Sequence, residues 1–375
     1  MCVICAAGCA STREVVVRQP AERSHLRVAV LPITNLSGRR APLADMRKSL
    51  AGGLKSAGLS VLDEKTLEAF MARHRVRYTG GVDSERAAAF GKETGVDAIL
   101  VTSLDFYSSM QPPKISLVSR LISASDAPEV IWTGQAALSG DDSPGLLGIH
   151  LISDPHVLQE KALGRLAESL GKFLASGKEQ ISSVPGRYKP KIWYRSPVFS
   201  PGARYKILVL PFYNRSDRKN AGEMLQMKFA DQLRRTGNFE VVEPGVIRHE
   251  LLTYRIIMEE GVSLAQADIL FANLRADLIL AGYVFRCEDE DGSTEAPKVD
   301  FSALVIDKKN RKTVWASDSF NTGNDGVFFF DMGRISTAAT LASEMARGVV
   351  EAMEGEGPER GTEITGRPVA SPLLH

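Results

Sequence analysis

Cysteine is almost missing from the body of this chain. Of its four cysteines, Cys2, Cys5 and Cys9 open the sequence, and Cys287 stands far from them. That distribution excludes a disulfide framework. No second Cys/His pair stands at ligand-like spacing, so neither a metal nor a cofactor is expected. Histidine is scarce as well, with six residues scattered along the chain; His74 and His249 lie in helical, charge-rich segments that suit a solvated imidazole better than a base or ligand. Long apolar runs are absent too. The best, such as Asp277 to Phe285, have strand length, whereas a spanning helix needs about 20 residues. Neither sign of charge dominates: 46 Lys and Arg against 45 Asp and Glu leave a net +1, so no nucleic-acid partner is expected. The sequence also lacks a G-x-S-x-G elbow, a P-loop, a G-x-G-x-x-G after a strand and an H-E-x-x-H helix. A non-enzymatic role is the expectation that follows.

What the sequence does contain is a repeat. At 375 residues the chain is long enough for two hydrophobic cores. RVAVLPITNLS (Arg27 to Ser37) and KILVLPFYNRS (Lys206 to Ser216) share an apolar strand, a Leu-Pro step, then Asn35 or Asn214 and a serine, at an offset of 179. Met46, Leu50 and Leu54 recur at helical spacing as Leu225, Phe229 and Leu233. Gly58 and Gly237 then stand where a helix end favours a left-handed residue. Past the short strands LSVLD and FEVVE the offset is 180: Gly81 matches Gly261, Ala87 matches Ala267, and Val96 to Leu100 matches Ala276 to Leu280. Strand-like segments Lys114 to Ile122 and Glu129 to Ala137 answer Lys298 to Ile306 and Lys312 to Phe320. Each copy closes on an amphipathic helix, Leu158 to Phe173 and Leu341 to Met353.

The fold class is therefore α/β: two tandem copies of a β-α-β-α-α-β-β-β-α domain with a mixed sheet. The expected division is a leader and tether over 1–24, copy one over 25–177, a Pro-rich basic linker over 178–203, copy two over 204–354 and a disordered tail over 355–375. From Gly186 to Lys206 the chain carries Tyr188, Trp193, Tyr194, Phe199 and Tyr205 among basic residues and prolines. We read this as a stiff linker whose aromatics dock on the domains. A basic stacking surface for an anionic partner is the alternative.

The opening MCVICAAGCAST resembles a bacterial lipobox, with small residues Ala6, Ala7 and Gly8 before Cys9 and polar residues after it. The resemblance implies that Cys9 carries lipid and anchors the chain to a membrane. Ala10, rather than an acidic residue, follows Cys9, which implies the outer membrane, facing the periplasm. In its LPxxNxS strand end, helix, short acidic-ended strand and D-[AL]-I-L strand, each copy also resembles a group of envelope domains. These belong to the curli secretion-channel lipoprotein, the peptidoglycan-synthase activator lipoproteins and the N-terminal domain of the Tol-Pal β-propeller protein. The group implies a place in the envelope and an envelope protein partner more than a single task. A channel of the curli type needs long amphipathic hairpins, and the candidate hairpin from Lys114 to Ala137 looks no longer than a domain sheet requires.

Two sets of repeated positions are candidate sites. Asn35 and Asn214 are read as turn fasteners or as ligand positions in a cleft between the copies. Asp97 and Asp277 recur before a buried strand and are read as caps. After the last strand of each copy, GDDSPGLLGIHLISD and GNDGVFFFDMGRIS place an acidic turn, Asp142 or Asp325, ahead of an apolar run. That run is Leu146 and Leu147 in copy one and Phe328, Phe329 and Phe330 in copy two. Either these side chains plug the domain ends or the loops bind a partner. Three functions follow: an outer-membrane lipoprotein acting by protein contact, a periplasmic glycan or small-ligand module, and an oligomeric secretion-channel subunit. The first is the leading expectation.

Overall fold

The structure, a computed structural model, describes residues 26–142, 151–179, 186–258, 261–289, 295–327 and 333–355. Copy one runs β1 (Arg27–Val30), β2 (Thr34–Asn35), α1 (Leu43–Ser56), β3 (Ser60–Val61), α2 (Glu64–Arg73), α3 (Ser84–Thr94), β4 (Ala98–Ser108), β5 (Lys114–Ser123), β6 (Val130–Ser139) and α4 (Pro155–Ser176). The second half runs β7 (Ile192–Arg195), β8 (Tyr205–Val209), β9 (Tyr213–Asn214), α5 (Ala221–Thr236), β10 (Phe239–Val241), α6 (Pro244–Thr253), α7 (Leu264–Leu274), β11 (Leu278–Glu288), β12 (Lys298–Asp307), β13 (Thr313–Thr322) and α8 (Ala338–Glu354). The expected element order is present in both halves, with β7 added ahead of the second and one short strand added within each copy. The residues around Asn35 and Asn214 form two-residue strands, β2 and β9, that pair with β4 and β11.

Each sheet is mixed. The first has the order β3-β1-β4-β5-β6 and the second β10-β8-β11-β12-β13-β7. Parallel pairs need crossover connections, which the helices between β1 and β4 supply, whereas β4, β5 and β6 follow one another as an antiparallel meander. Valine, isoleucine and leucine fill β1 and the start of β4 because both faces there are covered. On one face Val28, Leu100, Leu117, Leu121 and Trp132 pack on Met46, Leu50 and Leu54 of α1 and on Leu158 to Phe173 of α4. On the other, Ala29, Leu31, Ile99 and Val101 meet Leu67, Phe70 and Phe90 of α2 and α3. The second sheet repeats this with α5 and α8 on one face and α6 and α7 on the other.

Local chemistry sets the boundaries. Asp63, Asp83 and Asp154 accept backbone N–H bonds at the starts of α2, α3 and α4, and Ser263 with Gln266 forms a reciprocal cap on α7. Gly58 and Gly237 adopt φ of 89° and 76° after α1 and α5, the left-handed geometry that glycine tolerates best. Asp97 accepts the backbone N–H of Arg27 at 2.8 Å, and Asp277 does the same for Lys206 at 2.9 Å. The two carboxylates tie the start of each long strand to its parallel neighbour.

The segment between the copies is built into the second half. Ile192–Arg195 forms the outermost strand of the second sheet, antiparallel to β13. Trp193 stacks on Trp315 at 5.3 Å between centroids, and Tyr205 lies between Phe199 and Phe239. Tyr188 and Phe199 are buried in the same core. Tyr188, Trp193, Phe199 and Tyr205 thus pack on the second domain, while Tyr194 is exposed. Among the described residues no helix is long and apolar enough to cross a membrane.

Candidate functional site

The polar groups that could do chemistry converge on the seam between the copies. Strands β4, β5 and β6 bury their apolar side chains against α1 and α4. Alternation therefore turns Arg120, Thr133 and Gln135 to the opposite face. Asp105 reaches that face from an irregularity in the β4–β5 register between Leu104 and Phe106. Onto this polar face packs α5 of copy two, together with Ser343 of α8.

Lys228 donates from Nζ to Asp105 Oδ2 at 2.8 Å, with both side chains almost fully buried. Arg218 donates to the Asp105 backbone carbonyl at 2.6 Å and to Asp289 at 3.1 Å. Burial works against the Arg218 charge, yet the Cys287 sulfur, which accepts from Arg218 at 3.3 Å, and the carboxylates of Asp289 and Asp105 hold its guanidinium above the ordinary value. Burial also pushes the Cys287 thiol up, which makes it a poor nucleophile. Thr133 donates to Asp231, Gln135 donates to Ser343 at 3.1 Å, and Arg234 joins Glu179 at 2.6 Å.

A second knot lies under α6. Arg120 donates to the Gly80 carbonyl at 2.7 Å, and its guanidinium sits 3.6 Å from Glu243. Glu243 caps α6 by accepting the Gly245 N–H at 2.7 Å and takes the Val82 N–H of copy one at 3.4 Å. Burial pushes the Glu243 carboxyl above the usual range, with Arg120 pulling the other way. Two glycines allow this approach. A Cβ on Gly245 would lie 2.2 Å from the Val82 nitrogen, and one on Gly81 would lie 2.7 Å from the Gly245 Cα.

The structure does not bring the sequence candidates into this seam as open ligand positions. Asn35 Nδ2 donates to the Arg39 carbonyl at 2.6 Å, while its Oδ1 accepts the Ser37 N–H at 3.0 Å and the Ser37 hydroxyl. Asn214 repeats all three bonds with Arg218 and Ser216. Asp142 accepts the Ser139 N–H at 2.7 Å, and Asp325 accepts the Thr322 N–H at 3.0 Å, so each fastens the turn after the last strand. Beyond those turns Ile152 and Ile335 pack against the two cores. Cys9, Leu146, Leu147, Phe328, Phe329 and Phe330 lie outside the described residues.

Sequence reasoning missed the seam residues Asp105, Arg120, Lys228, Asp231 and Glu243. A signal existed in the comparison of the copies. Asp105 corresponds to Phe285, Arg120 to Leu304, Lys228 to Ser49 and Gly245 to Lys65, and the repeat breaks where one copy grips the other.

No family model and no curated protein matches the chain. Solved structures do. PelC, solved as a dodecamer from Paraburkholderia phytofirmans, is 17% identical over 44% of this chain and 96% of that one, with a TM-score of 0.32. Lipoprotein GNA1162 from Neisseria meningitidis is 20% identical over 40% and 96%, with a TM-score of 0.28. The LpoB C-terminal domain from Salmonella enterica is 14% identical over 34% and 87%, with a TM-score of 0.25.

Proposed function

We propose that the protein is a non-enzymatic lipoprotein of the bacterial outer membrane, anchored through Cys9 on the periplasmic side, that acts by contact with another envelope protein. One observation carries this reading. The buried charges that could serve chemistry, Asp105, Lys228, Arg120 and Glu243, are each engaged across the seam and hold the two copies as one block. A block of two like domains presents two like surfaces at a set spacing, which favours bivalent engagement of a partner. The repeated turns at Asp142 and Asp325, with the apolar residues Leu146, Leu147 and Phe328 to Phe330 that follow, are the proposed partner-binding loops.

The test joins address and contact. Intact mass is measured on protein from native membranes, wild type against Cys9→Ser, and a photo-crosslinker is placed at Asp142 and separately at Asp325. A lipidated mass lost in the variant, with the same envelope protein trapped from both turns, is the expected result. An unmodified wild type that crosslinks to nothing in the membrane fraction overturns the reading.

A further inference from the structure

The seam also describes a contact that the chain leaves half made at each of its ends. Through the molecule the layers run α1 and α4, first sheet, α5 and α8, second sheet. The first sheet's polar face is covered by α5. The corresponding face of the second sheet presents Tyr194 and Phe320 with 39% and 40% exposure, beside half-buried Phe285. At the opposite end α1, the counterpart of α5, turns Lys48, Gly52 and Lys55 outward to solvent. One end is thus a sheet face that α6 and α7 cover only in part, with no counterpart of α5 over Tyr194 and Phe320, and the other a helix layer without the next sheet.

These two surfaces are complementary in size. Inside the chain the bulk is on the helix: Lys228 and Asp231 of α5 meet the first sheet, whose row includes Asp105 and Ala137. On the free surfaces the bulk has moved to the sheet. Phe285 and Phe320 stand in the register of Asp105 and Ala137, while Ser49 and Gly52 stand in that of Lys228 and Asp231. Gly52 in α1 and Gly164 in α4 have nothing within 4 Å of where a Cβ would stand, so no packing within the chain requires glycine there. A glycine inside a helix weakens it relative to alanine, and close approach of another surface is what compensates.

From this we infer that the chain associates with further copies of itself head to tail, the outer face of the second sheet seating on the α1 and α4 layer of the next molecule. The contact repeats the principle of the seam without copying it. Lys65 stands where the seam has Gly245, so the approach of Gly81 to Gly245 cannot be reproduced and the layers must splay at that end. Such a contact is heterologous and generates a ring or a filament rather than a closed pair. It stands independently of the proposed envelope partner, because it uses neither the Asp142 nor the Asp325 turn.

Sedimentation of the full chain carrying Cys9→Ser, in reductant, tests it together with two further substitutions in that background. Gly52→Trp blocks the helix surface and Phe320→Glu the sheet surface, and melting by circular dichroism verifies that each variant still folds. The expected parent is larger than a dimer. Each variant alone sediments as one chain of 40.8 kDa, and an equal mixture yields a dimer and nothing larger, because only one intact junction can form. A parent that stays monomeric, an assembly that survives either substitution, or a mixture that remains monomeric overturns the inference.

Discussion

Lys228, on a helix of copy two, reaches Asp105, on a strand of copy one, at 2.8 Å, and neither side chain keeps contact with water. Two charges taken out of water cost several kcal/mol each, and their attraction returns that cost only while both are present. Either Asp105→Asn or Lys228→Met should therefore destabilise the chain by roughly 3–5 kcal/mol. The double substitution should cost much less than the two singles added. Urea denaturation of the four proteins of this cycle measures the coupling, and additive singles would remove the pair from its bracing role.

The glycine contact makes a geometric prediction. Gly245→Ala puts a methyl 2.2 Å from the backbone nitrogen of Val82, an atom that cannot turn aside as a flexible side chain could. The copies must separate locally, at a cost of about 1–3 kcal/mol. The expected signature is looser coupling between the halves: a denaturation curve that broadens or splits in two. Lys65, at the matching position of copy one, is exposed, so Lys65→Ala should leave the curve unchanged.

Glu243 makes stability depend on pH in a definite direction. Its folded carboxyl is held above the ordinary value of 4.5 by burial, so the folded chain takes up this proton before the unfolded chain does. As pH falls from above the folded value, the contribution of Glu243 to stability grows. It levels off once pH is below the unfolded value near 4.5. Glu243→Gln has no such proton. The stability of wild type minus that of the variant should rise through this window as pH is lowered, and a difference that is flat in pH would refute the assignment. Urea midpoints at closely spaced pH values supply the measurement.

The parts of this fold legible in the sequence are those in which a residue answers to its own element. Helical spacing of Met46, Leu50 and Leu54, and its recurrence in copy two, marks α1 and α5 because an amphipathic helix must bury one stripe whatever lies across from it. The seam answers to a surface distant in sequence. Arg120, Thr133 and Gln135 alternate with apolar neighbours, the pattern of a sheet whose second face is solvated, and only the arrival of α5 turns that face into an interior. The linker shows the same limit from the other side. Its prolines and basic residues describe a connector, yet Trp193 and Tyr205 find stacking partners in the second domain and Ile192–Arg195 finds an edge to pair with. Asn35 and Asn214 were legible in position and ambiguous in role. Each asparagine bonds across its turn, to the carbonyl of Arg39 or Arg218.

Those two asparagines allow a paired test. Each donates to a carbonyl four residues on and accepts two bonds from the serine two residues on, so both copies spend the whole side chain on one turn. Asn35→Ala and Asn214→Ala should each cost about 1–2 kcal/mol, through backbone groups left without partners in a half-buried site. The near-identical geometry makes the two losses similar in size. Chemical denaturation of the single variants reads both values. If either substitution leaves stability untouched, the turn does not depend on its asparagine and conserving its side chain needs another cause, for which binding of glycans to the parent and the variant is the next comparison. If both lose stability alike, the repeated Asn is accounted for by the repeated turn, and the search for a ligand site moves to other residues.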